Sequence, residues 1–473
     1  MVGPSYTRPS VPQQESWHPT EAAAAKPVDG AWWRGLNDPL LVKYIETGLS
    51  QNQDLEAAQA RIREARALRG VAAAVLLPEV SSSAAYSRSR ISENAGLAAQ
   101  APAGFLKFEQ SLFQVGFDAG WEIDLFGGRR REVEAAGARA EASVEAYRDA
   151  MVSVMAEIAR NYVELRGAQR QLSVAEKNSD IQDKTLALVE SKLDAEVGSE
   201  LEVAQAKAQL ERIRAAIPSF RASIRASAHR LAVLTGQTPD SLLEELLATA
   251  PIPDPPDMVP VGLPSDLLLR RPDLRRAEND LHAATADIGA ATADLYPRFS
   301  LTGSSSLDSE RFVNLFRGSS GAWSIGPSIS WPVFQGGRIR SNIAATEARR
   351  DEALARYRQA VLTALEEVET ALVRYAERQV ERERLALSLE SQAKAVEMSQ
   401  VRYREGVQDF LPVLDAERQL SEVENSLAVS ETQVLVNLIS LYKALGGGWD
   451  AEALALDTVP VTSKAPEGLQ YTR

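Results

Sequence analysis

The 473-residue chain repeats itself at an offset of 210 residues. Leu201-Glu202-Val203, followed by Ala206 and Gln209-Leu210, returns as Leu411-Pro412-Val413, followed by Ala416 and Gln419-Leu420. Trp121 to Leu125 and then Phe126-Gly127-Gly128-Arg129 return as Trp331-Pro332-Val333 and Phe334-Gln335-Gly336-Gly337-Arg338. Earlier in each half, Asp54-Leu55 precedes Leu77-Pro78 as Asp273-Leu274 precedes Tyr296-Pro297. Such a chain must fold as two versions of one unit. The order predicted for each is helix, two strands, a very long helix, a shorter helix. This places an extended arm over 1–35 and a first repeat over 36–250, with a β-hairpin at 80–126, a long helix at 129–195 and a helix at 199–235. A proline-rich linker follows over 251–264. The second repeat covers 265–448, with a β-hairpin at 299–334, a long helix at 338–405 and a helix at 410–445, before a tail over 449–473.

The first long helix has no proline, and its only glycines are Gly137 and Gly167. At 1.5 Å per residue it would run roughly 100 Å. Val144, Met151, Ile158, Leu165 and Leu172 fall every seventh residue, as do Leu354, Val361, Val368 and Tyr375. A strict seven-residue period keeps one face against a neighbour and favours a left-handed supercoil. By itself this pattern fits any long coiled coil.

The strands narrow the class. Phe113, Val115, Phe117, Ala119, Trp121, Ile123 and Leu125 alternate with Gln114, Gly116, Asp118, Gly120, Glu122 and Asp124. Trp323, Ile325, Pro327, Ile329, Trp331 and Val333 alternate with small polar residues in the same way. Weaker strands precede these at 80–88 and 299–307, and polar loops at 91–109 and 308–321 close the hairpins. Strands of about 9–11 residues suit a tilted membrane crossing. Trp121, Trp323 and Trp331 suit an aromatic girdle at the headgroups. The competing arrangement, a soluble sheet on a helix, leaves the acidic face of Asp118, Glu122 and Asp124 without a purpose that a water-filled lumen would supply. Four strands cannot close a barrel, so the barrel must be shared between copies. Counting alone leaves two, three or four copies open. Gly127-Gly128 and Gly336-Gly337 mark the junctions from strand to helix.

Composition excludes other classes. No run reaches the roughly 18 apolar residues of a membrane-spanning helix. The net charge of −13 argues against a nucleic-acid partner, and the absence of cysteine removes disulfides, thiolate metal sites and cysteine nucleophiles. His18, His229 and His282 lack metal-ligand spacing. No catalytic or cofactor motif stands out, so the expectation is a non-enzyme. Met1 to Pro12 is polar, without the apolar core of a signal peptide.

Several motifs carry a resemblance. Val2-Gly3-Pro4-Ser5-Tyr6-Thr7-Arg8-Pro9, Leu269-Arg270-Arg271-Pro272-Asp273-Leu274, Arg402-Tyr403-Arg404-Glu405-Gly406 and Leu441-Tyr442-Lys443-Ala444-Leu445-Gly446-Gly447-Gly448-Trp449 resemble the signatures of TolC-like outer-membrane efflux proteins, in their lipoprotein branch. The resemblance implies a mainly α fold with a β-barrel: a homotrimer with a shared twelve-stranded outer-membrane barrel continued by a helical tunnel. It also implies a periplasmic adaptor and an inner-membrane pump of the RND type as partners, with drugs or other small toxic compounds as cargo. Export of proteins through such a channel and a cytosolic coiled-coil scaffold are the alternatives. The lipoprotein branch starts on an acylated, palmitate-bearing cysteine where this chain has Met1, a departure that puts the lipid anchor in doubt; no other cofactor is implied.

The resemblance also assigns the helix turns. Leu411, Asp415 and Tyr403 would form the periplasmic gate, although Asp415 could instead be a solvated carboxylate paired to Arg418. Gly198, Ser199, Gly406 and Asp409 would shape the turns that meet the adaptor, with Ser199 and Glu202 as a capping box and Asp409 as an N-cap. Related chains carry glycine where Glu196 stands, so Gly198 is expected to supply that turn.

Overall fold

The computed structural model describes residues 1–10, 16–17, 23–24, 30–92, 102, 107–256, 259–262, 264 and 270–449. His18, Leu269, the tail beyond Trp449, most of the 91–109 loop and parts of the arm and linker lie outside the described residues. The elements are α1 (Pro39–Gln51), α2 (Gln53–Ala74), β1 (Glu79–Arg90), β2 (Glu109–Ile123), α3 (Gly128–Asp194), α4 (Glu200–Leu234), a short α5 (Leu243–Leu247), α6 (Pro272–Ala293), β3 (Arg298–Ser309), β4 (Gly321–Ser330), α7 (Arg338–Arg404) and α8 (Leu411–Ala444). Both α3 and α7 are 67 residues long. The first helix of the first repeat is broken in two at Asn52. Its side-chain oxygen accepts from the Asp54 and Leu55 amides, and its amide donates to the Leu234 carbonyl. No helix among the described residues is long and apolar enough to cross a membrane.

The chain divides into two compact units. The first comprises Met1–Val11, Ala60–Glu145 and Leu274–Ala360 and holds the sheet. Its two hairpins join into one antiparallel sheet in the order β1-β2-β3-β4, with no pairing between β1 and β4. Directly paired residues share a face. The register therefore sets Tyr86 beside Phe113, Ala119 beside Gly303, Trp121 beside Leu301 and Ile123 beside Phe299, and Phe299 beside Ile329. The opposite face carries Asp118 with Ser81 and Ser304, Glu122 with Ser300, and Ser324 and Ser328. The alternation seen strand by strand thus adds up to one apolar and one polar face. The apolar face is uncovered, with Phe117, Trp323 and Ile325 at 61, 79 and 68 % exposure.

β4 stops at Ser330, short of the Trp331 and Val333 expected within it. Pro332 has no N–H to give the ladder and restricts the residue before it. β2 likewise stops at Ile123. Each strand leaves through a three-residue turn, Leu125 N–H to the Ile123 carbonyl and Val333 N–H to the Trp331 carbonyl, at 2.9 and 3.0 Å. Trp121 and Trp331 donate their indole N–H to the carbonyls of Leu76 and Leu295. At the junctions Gly127, Gly336 and Gly337 have φ of 85, 57 and 88°, while Gly128 begins α3 in ordinary helical space. At its strand end the acidic face is also paired with the arginines that follow the junction. Glu122 is tied to Arg129 and Asp124 to Arg130, both at 3.1 Å. Arg131 is buried, bonding Glu134 and the Val2 carbonyl.

The second unit comprises Pro12–Gln59, Ala146–Asp273 and Val361–Arg473. Seam residues Met151, Ile158, Leu165, Val361, Val368 and Tyr375 are buried. Two of the sequence motifs dock on each other here. Arg271 bonds Asp273, Glu367 and the Ala444 carbonyl, and Trp449 donates to the Arg270 carbonyl.

A lipid-facing apolar side and a wetted polar side make different predictions for one substitution. Phe117→Arg should destabilise the sheet by about 2–4 kcal/mol in bilayer or detergent unfolding titrations. Asp118→Arg, one residue on and on the other face, should leave the midpoint nearly unchanged. Equal tolerance would place neither face in lipid.

Candidate functional site

The candidate site is the pair of helix turns, α3 to α4 and α7 to α8, both in the second unit. Each long helix ends in the same hydrogen-bond pattern. Glu196 N–H reaches the Leu193 carbonyl and Val197 N–H the Lys192 carbonyl, at 2.9 and 3.0 Å. In the second turn Gly406 N–H reaches Tyr403 and Val407 N–H reaches Arg402, at 3.1 and 2.9 Å. This is a Schellman ending, which needs one residue in the left-handed region. Gly406 supplies it with φ 71°, and in the first turn Glu196 itself supplies it with φ 59°. The expectation for Gly198 is thus corrected: its φ is not positive. It is small for a different reason, since a Cβ there would lie 2.9 Å from the Leu193 nitrogen.

The restarts of the two helices differ. Ser199 caps α4: its hydroxyl accepts from the Glu202 amide, and the Glu202 carboxylate accepts from the Ser199 amide. Asp409 does not cap α8. The N-cap position is held by Phe410, in helical conformation with no side-chain cap, and Pro412 lies in the first turn. Phe410 is only 1 % exposed, and its burial replaces the missing polar cap as the anchor. It packs with Val189, Ala206, Tyr403 and Val413, joining all four helices.

Leu411 is 60 % exposed and begins α8. Asp415, one turn on, accepts from Arg418 at 2.8 Å and from Gln419 at 2.7 Å. Within the protomer it is therefore the paired carboxylate considered as the alternative. Tyr403 does not share this open face. It is 5 % exposed, its ring lies 5.4 Å from that of Phe410, and the Lys192 ammonium sits 3.6 Å from its centroid. Lys192 also donates to the Tyr403 carbonyl. Burial, and then the nearby Glu202 charge, hold the Tyr403 hydroxyl pKa above its usual range.

Two features escaped the sequence reading. Val197 and Leu201 in the first turn, and Val407 and Leu411 in the second, are all at least 60 % exposed, so each turn presents the same bare apolar pair. The repeat offset was the signal that could have found them. The other is Glu417, 7 % exposed, whose Oε1 accepts from Thr185 on α3 and Gln400 on α7 at 3.0 and 2.7 Å. Burial raises its carboxyl pKa against the lowering effect of these two donors. Its buried Oε2 has no hydrogen-bond partner among the described residues, and the residue borders a cavity of about 250 Å³ with Lys184, Leu188 and Arg404. No period or spacing announces such a residue. Among the described residues no cluster of His, Asp and Glu could hold a metal ion.

The unequal turns give a paired prediction. A side chain in left-handed space costs about 1–2 kcal/mol. Glu196→Gly should therefore raise amide-exchange protection at Val197 by a few-fold, after allowing for the freer unfolded chain. Gly406→Val should lower protection at Val407 by about tenfold or more. Unchanged exchange at both amides would show that the left-handed residue is not what fixes the turns.

A sequence model described as "Outer membrane efflux protein" matches residues 44–237 and 263–447, one span in each repeat. The solvent efflux pump outer membrane protein SrpC of Pseudomonas putida is 31 % identical over 464 residues, covering 94 % of this chain and 95 % of that protein. The solved outer-membrane channel OprN is 38 % identical, with a TM-score of 0.86 over 95 % of this chain and 99 % of that one. The open-state MtrE outer membrane channel of Neisseria gonorrhoeae is 30 % identical, with a TM-score of 0.84 over 94 % of this chain and 98 % of that one. On sequence and fold alike, the chain belongs to the outer membrane efflux protein family.

Proposed function

We propose that the chain is one of three identical subunits of a passive exit duct for drugs or other small toxic compounds. As an outer-membrane efflux channel it stands at the end of a tripartite system. In this reading an inner-membrane pump supplies the energy, a periplasmic adaptor makes the connection, and this protein does no chemistry. The observation that carries it is the four-stranded sheet with one apolar face, one polar face and two edges left unpaired among the described residues. Three copies give twelve strands, enough for a barrel with a wet interior.

The helix turns supply the other two functions. The repeated pairs Val197 with Leu201 and Val407 with Leu411 are the surface offered to the adaptor; exposed apolar patches of this kind mark interaction sites. Leu411 and Asp415 form the gate: threefold symmetry turns them into a ring of leucines beside a ring of carboxylates. Three close carboxylates repel one another, so a bound cation or the Arg418 side chains hold the ring together. Glu417 ties α8 to both α3 and α7 and so couples the gate helix to its neighbours.

In planar bilayers Leu411→Ala should raise resting conductance by opening the apolar ring, and Asp415→Ala should abolish block by divalent cations from the periplasmic side. Wild-type conductance and block in both variants would place the constriction elsewhere. Val197→Asp with Val407→Asp should leave assembly intact and sharply reduce adaptor binding; full binding would remove the turns from that interface. For Glu417 the folded pKa lies above the unfolded one. Its contribution is thus most favourable below the ordinary glutamate range and is lost as pH rises through the folded pKa. Glu417→Gln should melt higher than wild type at pH 8, with the difference shrinking at pH 4. A pH-independent difference would mean that ionisation of Glu417 is not involved.

A further inference from the structure

The loop joining β3 to β4 lies at the end of the sheet opposite the helix junctions, and it is built in an unusual way. Most loops expose polar side chains on a loosely held backbone. This one exposes Phe312, Val313 and Phe316 at 61, 69 and 69 % on a tightly held backbone. Two short 3₁₀ turns, Phe312–Asn314 and Gly318–Ser320, are linked by hydrogen bonds from the Ser320 hydroxyl to the Asn314 carbonyl and from the Arg317 amide to the same carbonyl. The Ser309 hydroxyl accepts from the Arg311 amide and fixes the entry to the loop. Leu315, 2 % exposed, pins the centre. Three large apolar groups are thus held out deliberately, an arrangement unfavourable in water.

Two further observations identify what they meet. The Phe312 ring lies edge-on to Phe113 at 5.6 Å, Phe113 packs on Tyr86 at 4.5 Å, and Phe316 stands edge-on to Phe312 at 6.2 Å. Tyr86 and Phe113 are register partners on the apolar face of the sheet. The loop therefore continues the lipid-facing side. The charges around it also separate in kind. Arg88 is paired to Glu109 and Lys107 to Glu310, but Arg311 and Arg317 are exposed and pair with no described carboxylate. Aromatic rings beside free guanidinium groups form the amphipathic combination that seats protein at a headgroup layer, where guanidinium meets phosphate in a bidentate fork.

We propose that residues 310–317 are a lipid-anchoring site that recognises the phosphate groups of an anionic lipid in the outer leaflet. Phe312, Val313 and Phe316 enter the upper acyl region, and Arg311 and Arg317 bind the phosphates above them. The site fixes the depth at which the barrel sits. The proposal rests on the outer-membrane reading of the sheet.

The chain has no cysteine, so single thiols can be placed and labelled. Val313→Cys reports on the loop; Ala119→Cys, in the middle of the apolar face, reports on insertion alone. Each labelled protein is reconstituted into phosphatidylcholine bilayers, into bilayers containing phosphorylated lipid A, and into bilayers containing its dephosphorylated form, with a nitroxide-bearing lipid as quencher. Ala119→Cys should be quenched in all three. Val313→Cys should be quenched several-fold more strongly with phosphorylated lipid A than with the other two, and Arg311→Gln with Arg317→Gln should abolish that excess. Inorganic phosphate added to the detergent-solubilised protein should leave the label unaffected. A response to it equal to that with lipid A would make the site one for free phosphate and overturn the proposal. Equal lipid quenching of Val313→Cys in all three bilayers, or insensitivity to the arginine changes, would remove the phosphate recognition. A label shielded from both the lipid quencher and aqueous iodide would mean that another copy of the chain covers the loop. If Ala119→Cys itself escapes quenching, the fault lies with membrane insertion and the outer-membrane reading fails first.

Discussion

Along the outer edges of β1 and β4 the backbone amides and carbonyls have no strand partner among the described residues. In water such edges would be hydrated, but in hydrocarbon each unsatisfied group costs several kcal/mol. The sheet cannot sit in a membrane until those edges are closed, and four strands are too few to close on themselves. The rest of the molecule follows from this. The chain must associate with copies of itself, the association must be cyclic, and the two faces of the sheet must be distinct enough to settle which side is wet. The register goes far towards the last condition: Asp118 and Glu122 pair only with serines, while Trp121, Ile123 and Ile329 pair with apolar or small partners, and the serines on the apolar side, such as Ser82 and Ser305 beside Phe117, are small.

Duplication explains how a single chain supplies two hairpins and two long helices, and divergence between the copies marks where the two halves do different work. The hydrogen bonds that end α3 and α7 superimpose residue for residue, yet one turn uses glycine and the other carries glutamate in the same left-handed conformation. The next helices start differently, one with a polar capping box and one with a buried phenylalanine. The hydrogen bonds of the helix endings are thus kept between the copies though a residue has changed, whereas those of the helix starts are not.

Periodic features could be read from the sequence. The seven-residue seam, the two-residue alternation and the 210-residue offset each repeat a spacing, and each predicts an element whatever its surroundings. Properties set by one side chain in one tertiary setting could not be read in this way. Asp409 has the chemistry of an N-cap, but burial of Phe410 decides the start of α8. The carboxylates of Glu122 and Asp124 suit a wet lumen, but the arginines that follow the junction reach back to them. Tyr403 belongs to a recognisable motif, yet it supports the turn from beneath rather than lining its surface. Glu417 is one of many glutamates on a helix until the fold surrounds it.

The free strand edges also carry a kinetic consequence. Because a single chain cannot satisfy them, completion of the sheet is a reaction of several molecules, and its rate depends steeply on how many chains are present at once. At low supply, chains wait with exposed edges, available to chaperones, proteases and unrelated strands. At high supply they find each other first. The yield of finished channels should then rise faster than the amount of protein made. A single chain with one blocked edge should also disable its two sound partners, so a minority of defective chains could suppress the whole population.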